Sequence, residues 1–277
     1  MKEKLTLVIK GFLIGVANII PGVSGGTLAI TLGIYEKLIG AISHFFKNLK
    51  ENIKFIIPIG IGAVLSILLL SRVISFCLDK YTLATILFFI GLILGGIPLL
   101  NKKIKGHYKN VSNIIIFLLS FGFVIALSVL KGENVVSFAN MNIINYIMLF
   151  LVGVVAAATM IIPGVSGSFV LMLLGYYKPI VDTIGALTKF NNIWQNIMIL
   201  VPFGIGVLVG IVAISKLLEF LFKKYEVKTY FGVMGFITAS IITIFTGAEG
   251  LVFSVPQLLI GLMLLGIGFT AAYKLGE

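Results

Sequence analysis

Apolar residues run in long blocks along this chain, and short basic segments punctuate them. The blocks FIIPIGIGAVLSILLL (55–70), IIIFLLSFGFVIALSVL (114–130) and IMILVPFGIGVLVGIVAI (197–214) each approach the ~20 apolar residues that a helix needs to cross roughly 30 Å of hydrocarbon. They predict spanning helices over 55–76, 83–100, 112–130, 198–221, 229–246 and 253–273. Composition points the same way, with 59% of residues hydrophobic, 11% charged and a mean hydropathy of +1.16. A soluble domain needs more polar surface than this. The expected class is an all-α integral membrane protein whose apolar side chains face lipid.

Charge adds an orientation. The net charge of +11 is gathered in KNLKENIK (47–54), NKKIKGHYK (101–109) and KKYEVK (223–228), the placement of positive-inside topology signals. No RNA-reading motif or aromatic platform accompanies these clusters, so nucleic acid is not an expected partner. The single cysteine, Cys77, excludes an internal disulfide framework and a multi-cysteine metal site. His44 and His107 sit in basic loops without ligand partners in sequence, and no metal or other cofactor is expected. The opening MKEKLTLVIKGFLIGVANII has the basic lead and apolar run of a signal peptide but lacks an A-x-A cleavage site, so it is expected to be retained.

A repeat organises the whole chain. IIPGVSGGT (19–27) returns as IIPGVSGS (161–168), and IPIGIGAVLSILLLSRVISFCLDKY (57–81) matches VPFGIGVLVGIVAISKLLEFLFKKY (201–225). Gly60, Gly62, Ser71 and Tyr81 then fall on Gly204, Gly206, Ser215 and Tyr225. The expected organisation is one transmembrane domain built of two halves, 1–135 and 136–277. Walking the spans from a cytoplasmic N-terminus puts 16 of the 21 Lys and Arg residues at the inner face. The halves then start on opposite sides, as inverted-topology repeats, each a re-entrant helical hairpin plus about three spanning helices.

The re-entrant element is the proline-glycine motif. The mostly apolar arm from Thr27 to Tyr35 has nine residues before Glu36-Lys37, about 13 Å of helix and far short of the hydrocarbon core. Pro21 lacks an N–H, and Gly22, Gly25 and Gly26 tolerate a sharp change of direction. The second pair of arms, 143–162 and 166–177, has a longer first limb, so a full crossing stays open there. Non-helical backbone at membrane depth must be buried in protein or line a wet cavity. Two such tips entering from opposite faces should meet near the midplane.

Each tip restarts a helix beside glycines, with Ser24 or Thr27 and Ser166 or Ser168 as candidate caps. Exposed N–H groups and hydroxyls in that setting suit an anion. The candidate binding residues are Asn18, Pro21, Gly22, Ser24, Gly25, Gly26 and Thr27 in the first half, and Pro163, Gly164, Ser166, Gly167 and Ser168 in the second. The bland alternative is a packing device in which the glycines only let helices approach. Arg72 and Lys216 occupy equivalent repeat positions and are candidate cationic handholds, against a default role as snorkelling anchors. Glu36 and Asp182 flank the re-entrant arms as candidate coupling acids.

GVANIIPGVSGGTLAITLGIYEKLI (15–39) and its echo MIIPGVSGSFVLMLLGYY (160–177) resemble the signature of the polyprenyl-phosphate transporters, and the similarity extends along the chain. That resemblance implies a flippase of the bacterial cytoplasmic membrane. Its substrate would be undecaprenyl phosphate, the lipid carrier of cell-wall precursors such as those of peptidoglycan, returned from the outer to the cytoplasmic leaflet. Proton and sodium both remain open as coupling ions. Two rivals stand beside it. Integral-membrane polyprenyl-diphosphate phosphatases carry a similar PG-x-S signature, but theirs continues with Arg-Ser where this chain has Gly25-Gly26. Neither motif here contains the Arg, His or Glu that phosphoryl transfer needs. A non-transporting envelope-assembly protein would explain the hydrophobicity but not the twin motifs.

Single-cysteine labelling in a Cys77-free background tests the topology. Residues in 101–109 and 223–228 should label from one side, and residues in 131–142 and 247–251 from the other. Labelling of 101–109 and 131–142 from the same side would overturn the inverted scheme.

Overall fold

Lipid offers no partner for a backbone N–H, so a chain this apolar must satisfy its peptide groups within each segment. Accordingly, all regular structure among the described residues is helical. The structure, a computed structural model, describes residues 2–19, 24–130, 135–138, 141–188, 192–246 and 254–276. The helices are α1 (Lys2–Ile19), α2 (Gly25–Thr31), α3 (Tyr35–Ser43), α4 (Leu49–Lys80), α5 (Thr82–Ile104), α6 (Val111–Val129), α7 (Ile143–Ile161), α8 (Gly167–Leu173), α9 (Tyr177–Thr188), α10 (Ile193–Lys224), α11 (Glu226–Thr246) and α12 (Val255–Gly276).

Among the described residues, seven of these helices are long and apolar enough to cross a membrane: α4 to α7 and α10 to α12. Six of them cover the predicted spans. The seventh, α7, is the limb for which a full crossing was left open. α4 and α10 each run 32 residues, about 48 Å, well beyond the predicted spans. Each absorbs a proline, Pro58 and Pro202, at the same repeat position.

Helix boundaries recur at constant spacing. α8 begins and ends 142 residues after α2, and α10 begins and ends 144 residues after α4. Packing recurs with them. A Cβ at Gly11 would lie 2.1 Å from the Ile59 carbonyl oxygen, and one at Gly153 would lie 2.2 Å from that of Phe203. Likewise Gly62 touches the Val8 carbonyl and Gly206 that of Phe150. α1 therefore packs along α4, and α7 along α10, through small residues that let the backbones meet.

The other long pairs cross between halves. α12 lies along α5, where Gly261 meets Ala84, Gly91 meets Leu265 and Gly95 meets Phe269. These contacts rise together, so the two helices run in the same direction. α6 lies along α11 in the same way, with Ile116 against Gly232 and Phe121 against Gly235. α5 and α11 run in opposite directions, because Lys103 at the end of α5 sits 3.2 Å from Glu226 at the start of α11. We call this the Lys103 end. At the opposite end, Gln257 donates to the Lys80 carbonyl and Val136 N–H to the Gly175 carbonyl.

Burial places the core. In α5, 67% of the most apolar window is buried within the protein, against 11% in α6, so α5 is central and α6 is lipid-facing. Phe89, Leu92 and Ile93 of α5 pack with Leu28 and Leu32 of α2 and Ile237 of α11. Gly96 opens a place on α5 for Thr31, which a Cβ there would strike at 2.2 Å.

One expectation needs correction. The apolar segment after each motif is not a single arm. α2 ends at Thr31, Gly33 adopts φ +69°, and α3 starts afresh at Tyr35. Gly175 repeats the turn with φ +76°, and the chain bends by 107° between α8 and α9. Both turns need the left-handed region that glycine enters without steric cost.

Gly62→Ala and Gly206→Ala should each cost about 1–3 kcal/mol, because the new Cβ must push α1 from α4 or α7 from α10. Thermal unfolding in detergent checks this. Gly60→Ala and Gly204→Ala, which meet nothing within 4 Å, should leave the midpoint unchanged.

Candidate functional site

A helix that stops inside the bilayer leaves carbonyls at its C-terminus and N–H groups at the next N-terminus without partners. At the second motif, side chains of the first half supply the partners. Buried Thr27, from the first motif, accepts a hydrogen bond at Oγ1 from the Gly164 N–H of the second, at 2.7 Å. The carbonyl of Ile161, at the C-terminus of α7, accepts a hydrogen bond from the Tyr35 hydroxyl at 2.9 Å. Gly26 lies against the same carbonyl, where a Cβ would approach to 2.8 Å. Tyr35 is 4% exposed, and its hydroxyl serves as the donor there.

The two serines that open α2 and α8 differ. Ser166 is extended (φ −90°, ψ 119°) and caps α8 by accepting from the Phe169 N–H at 3.4 Å. Its hydroxyl also shares a 3.0 Å hydrogen bond with the exposed Ser168. Ser24 has the same extended backbone (φ −99°, ψ 130°), but its hydroxyl makes no cap bond. Ser24 is 4% exposed, and its Oγ has no hydrogen-bond partner among the described residues. An unsatisfied buried hydroxyl costs about 1–3 kcal/mol, so a group that reaches it gains that much. Thr27, the other candidate cap, sits inside α2 and is spent on Gly164.

The glycines set how closely anything approaches. A Cβ on Gly25 would fall 2.7 Å from Asn18 Oδ1, and one on Gly167 would fall 2.7 Å from Met160 Cγ. Asn18 is exposed beside the first motif, while Pro163 and Gly164 are buried in the second. Gly164 adopts φ +78° against the Phe236 carbonyl, so a side chain fits there neither sterically nor conformationally. Pro21 and Gly22 lie outside the described residues.

The remaining candidates are not gathered at this junction. Arg72 belongs to α4 toward the opposite end, and its side chain lies outside the described set. Lys216 is exposed on α10, next to Ser215, whose hydroxyl is buried without a partner. Among the described residues, no hydrogen bond or ion pair joins Lys216 to either motif. Glu36 accepts from the Tyr230 hydroxyl and lies 3.7 Å from Lys103 at the Lys103 end. Asp182 is exposed and pairs with Lys178 one turn away on α9. The two acids thus flank the junction from different ends.

Sequence reasoning missed Tyr35, Tyr230 and Lys103. The signal was available for the first, since Tyr35 and Tyr177 occupy the same repeat position directly after the glycine turns. No group of three or more His, Cys, Asp or Glu residues able to hold a metal is found among the described residues.

Against known proteins, residues 14–257 match the undecaprenyl phosphate translocase-like family. A polyprenyl-phosphate transporter of Staphylococcus aureus (strain NCTC 8325 / PS 47) is 31% identical over 280 residues, covering 98% of this chain and 95% of that protein. A polyprenyl-phosphate transporter of Vibrio cholerae serotype O1 is 30% identical over 236 residues, covering 80% of this chain and 71% of its own length. No solved structure matches.

Thr27→Val should leave the buried Gly164 N–H without its acceptor and cost about 1–3 kcal/mol, whereas Thr27→Ser should retain most of the stability. Thermal midpoints of the two variants decide between them.

Proposed function

Because the chain belongs to the undecaprenyl phosphate translocase-like family, we propose that the junction of the two motifs receives the phosphate headgroup of a transported polyprenyl lipid. This is a multi-pass membrane protein of a transporter family, and its relatives are named polyprenyl-phosphate transporters, not enzymes. The substrate we assign is undecaprenyl phosphate, carried from the outer to the cytoplasmic leaflet of the bacterial cell membrane and so recycled for envelope synthesis.

The hydrogen bond from Gly164 N–H to Thr27 carries this reading, because it brings the motifs of both halves to one buried point. The unpartnered Ser24 hydroxyl belongs to the same turn. An isoprenoid tail can stay in lipid while its headgroup crosses, so the protein need supply donors for only one phosphate. Ser24, Ser166, Ser168 and Asn18 furnish hydroxyls and an amide, and the glycines keep the approach open. These neutral donors bind a phosphate without the metal or base that phosphoryl transfer requires.

We read residues 1–135 and 136–277 as inverted-topology repeats. The antiparallel course of the equivalent helices α5 and α11 supports this, as does the recurrence of helix boundaries. We read α1–α2 and α7–α8 as arms that return to the face they entered. Lys10 Nζ donates to the Leu32 carbonyl at 2.7 Å, so α2 comes back beside the first half of α1, and Gly175 comes back to Val136. The basic residues near the Lys103 end assign that end to the cytoplasm. Arg72 and Lys216 then serve as handholds toward opposite faces, and Glu36 and Asp182 as acids through which a proton or sodium gradient acts.

Transport by protein reconstituted into vesicles, read as the sided accessibility of a labelled polyprenyl phosphate, tests the reading. Ser24→Ala/Ser166→Ala should lower transport about thirtyfold, the effect of losing about 1 kcal/mol for each of the two hydrogen bonds. Wild-type rates from the well-folded double variant would remove the motif hydroxyls from the site. Arg72→Gln should slow uptake from the outer leaflet and Lys216→Gln should slow release at the inner one. Unchanged rates in both directions would leave these two as interface anchors.

A further inference from the structure

The two halves match in helix boundaries but not in how their short helices are seated. α3 and α9 are repeat counterparts, since each follows a left-handed glycine and opens on a tyrosine, Tyr35 or Tyr177, 142 residues apart. α3 leaves its own half and packs on α10 of the other. Tyr35 is 4% exposed there, edge-on to Phe222, which in turn meets Tyr230 edge-on. At the far end of α3 the Ser43 hydroxyl donates to Glu219 of α10. His44 Nδ1 lies 3.2 Å from the same carboxylate, and Lys223 Nζ lies 2.6 Å from its other oxygen. Glu36 adds a contact to Tyr230 and Lys103. Polar contacts from Glu36, Ser43 and His44 and the edge-on aromatic contacts of Tyr35 therefore hold α3 at the Lys103 end.

α9 is held differently. Tyr177 is 38% exposed, Lys178 pairs with Asp182 on the same helix, and Thr183 donates to the Pro179 carbonyl. α9 packs on α10 of its own half. By repeat correspondence its counterpart seat is α4 near Ser75 and Leu78, the positions equivalent to Glu219 and Phe222. One end is latched across the halves, and the related helix at the other end sits on its own half.

We infer that α3 and α9 are alternating gates, that the structure is closed at the Lys103 end, and that Glu219 is the positioning residue that latches α3. This rests on the transport reading above and adds to it which residues open and close the path. An exchange of seats between the halves would release α3 and dock α9 on α4. Such an exchange is symmetric in shape but not in chemistry. Position 219 carries a carboxylate and position 75 a serine, while position 43 carries a hydroxyl and position 185 a glycine. At the Lys103 end the latch is the Glu219 carboxylate, whose partners are His44, just past α3, and Lys223 on α10.

Two cysteine pairs in the full-length Cys77→Ser protein, in vesicles, test this with a short bifunctional thiol reagent. The pair Ser43→Cys with Glu219→Cys, in which the cross-link takes the place of the latch, should trap α3 on α10 and stop transport reversibly. The pair Ser75→Cys with Gly185→Cys should cross-link poorly at rest. Glu219→Gln or Tyr35→Phe should raise that second yield about tenfold, the population shift expected when one strong hydrogen bond is removed. Equal yields at the second pair in all backgrounds would overturn the inference, as would undiminished transport by the first pair once cross-linked. Yields are read without a transport assay, so the two readings fail separately. Switching yields without lipid phosphate transport would sink the function and keep the gates. Transport without switching yields would do the reverse.

Discussion

Everything in this fold follows from the need to satisfy backbone that stops being helical inside a membrane. α7 ends at the Pro163-Gly164 turn and α1 ends just before Pro21, and lipid will not hydrogen-bond groups that a helix end exposes. The remedy comes from the other half. Gly164 N–H donates to Thr27, and the Ile161 carbonyl accepts from Tyr35, so residues of the first half satisfy the interruption in the second. A chain organised this way has its polar centre where its two halves meet.

The scaffold around that centre uses the same logic on a larger scale. α6 and α12 each leave their own half to run beside a helix of the other, on α11 and α5. The exchange ties the halves together, while α1 with α4 and α7 with α10 remain packed within them. Glycine-lined contacts hold both kinds of pair, since helices surrounded by lipid gain little from apolar burial and depend on close approach. The interior pairs are thus rigid. The short helices α2, α3, α8 and α9, attached through Gly33 and Gly175, are the parts whose seating differs between the halves.

Much of this was legible from the residues. The spans follow from apolar length, and the pairing of Pro58 with Pro202 predicts that α4 and α10 begin and end in register. α3 and α9 were not legible, because YEKLIGAIS and YKPIVDTIG contain enough charge and proline to read as loop. What makes them helices is tertiary: Tyr35 and Ser43 find partners on α7 and α10, which no local pattern encodes. At the site, glycines and hydroxyls announced a turn near other backbone. They did not announce the division of labour, in which Ser166 caps a helix, Thr27 joins the halves and Ser24 is left unpartnered.

That division separates what is duplicated from what is not. Small residues that set helix distances recur at matched positions: Gly11 with Gly153, Gly62 with Gly206, Gly91 with Gly235. Ser24 and Ser166 recur, but the polar residues beside them do not. Asn18 faces Met160 in the repeat, Thr27 faces Phe169, and Gly26 faces Ser168. Packing must work in both halves, because each half presses the same helices together. Duplicating the unmatched donors would leave buried polar groups without partners, at a cost of about 1–3 kcal/mol each. The apolar framework therefore keeps its twofold pattern, while the polar residues at the junction differ between the halves.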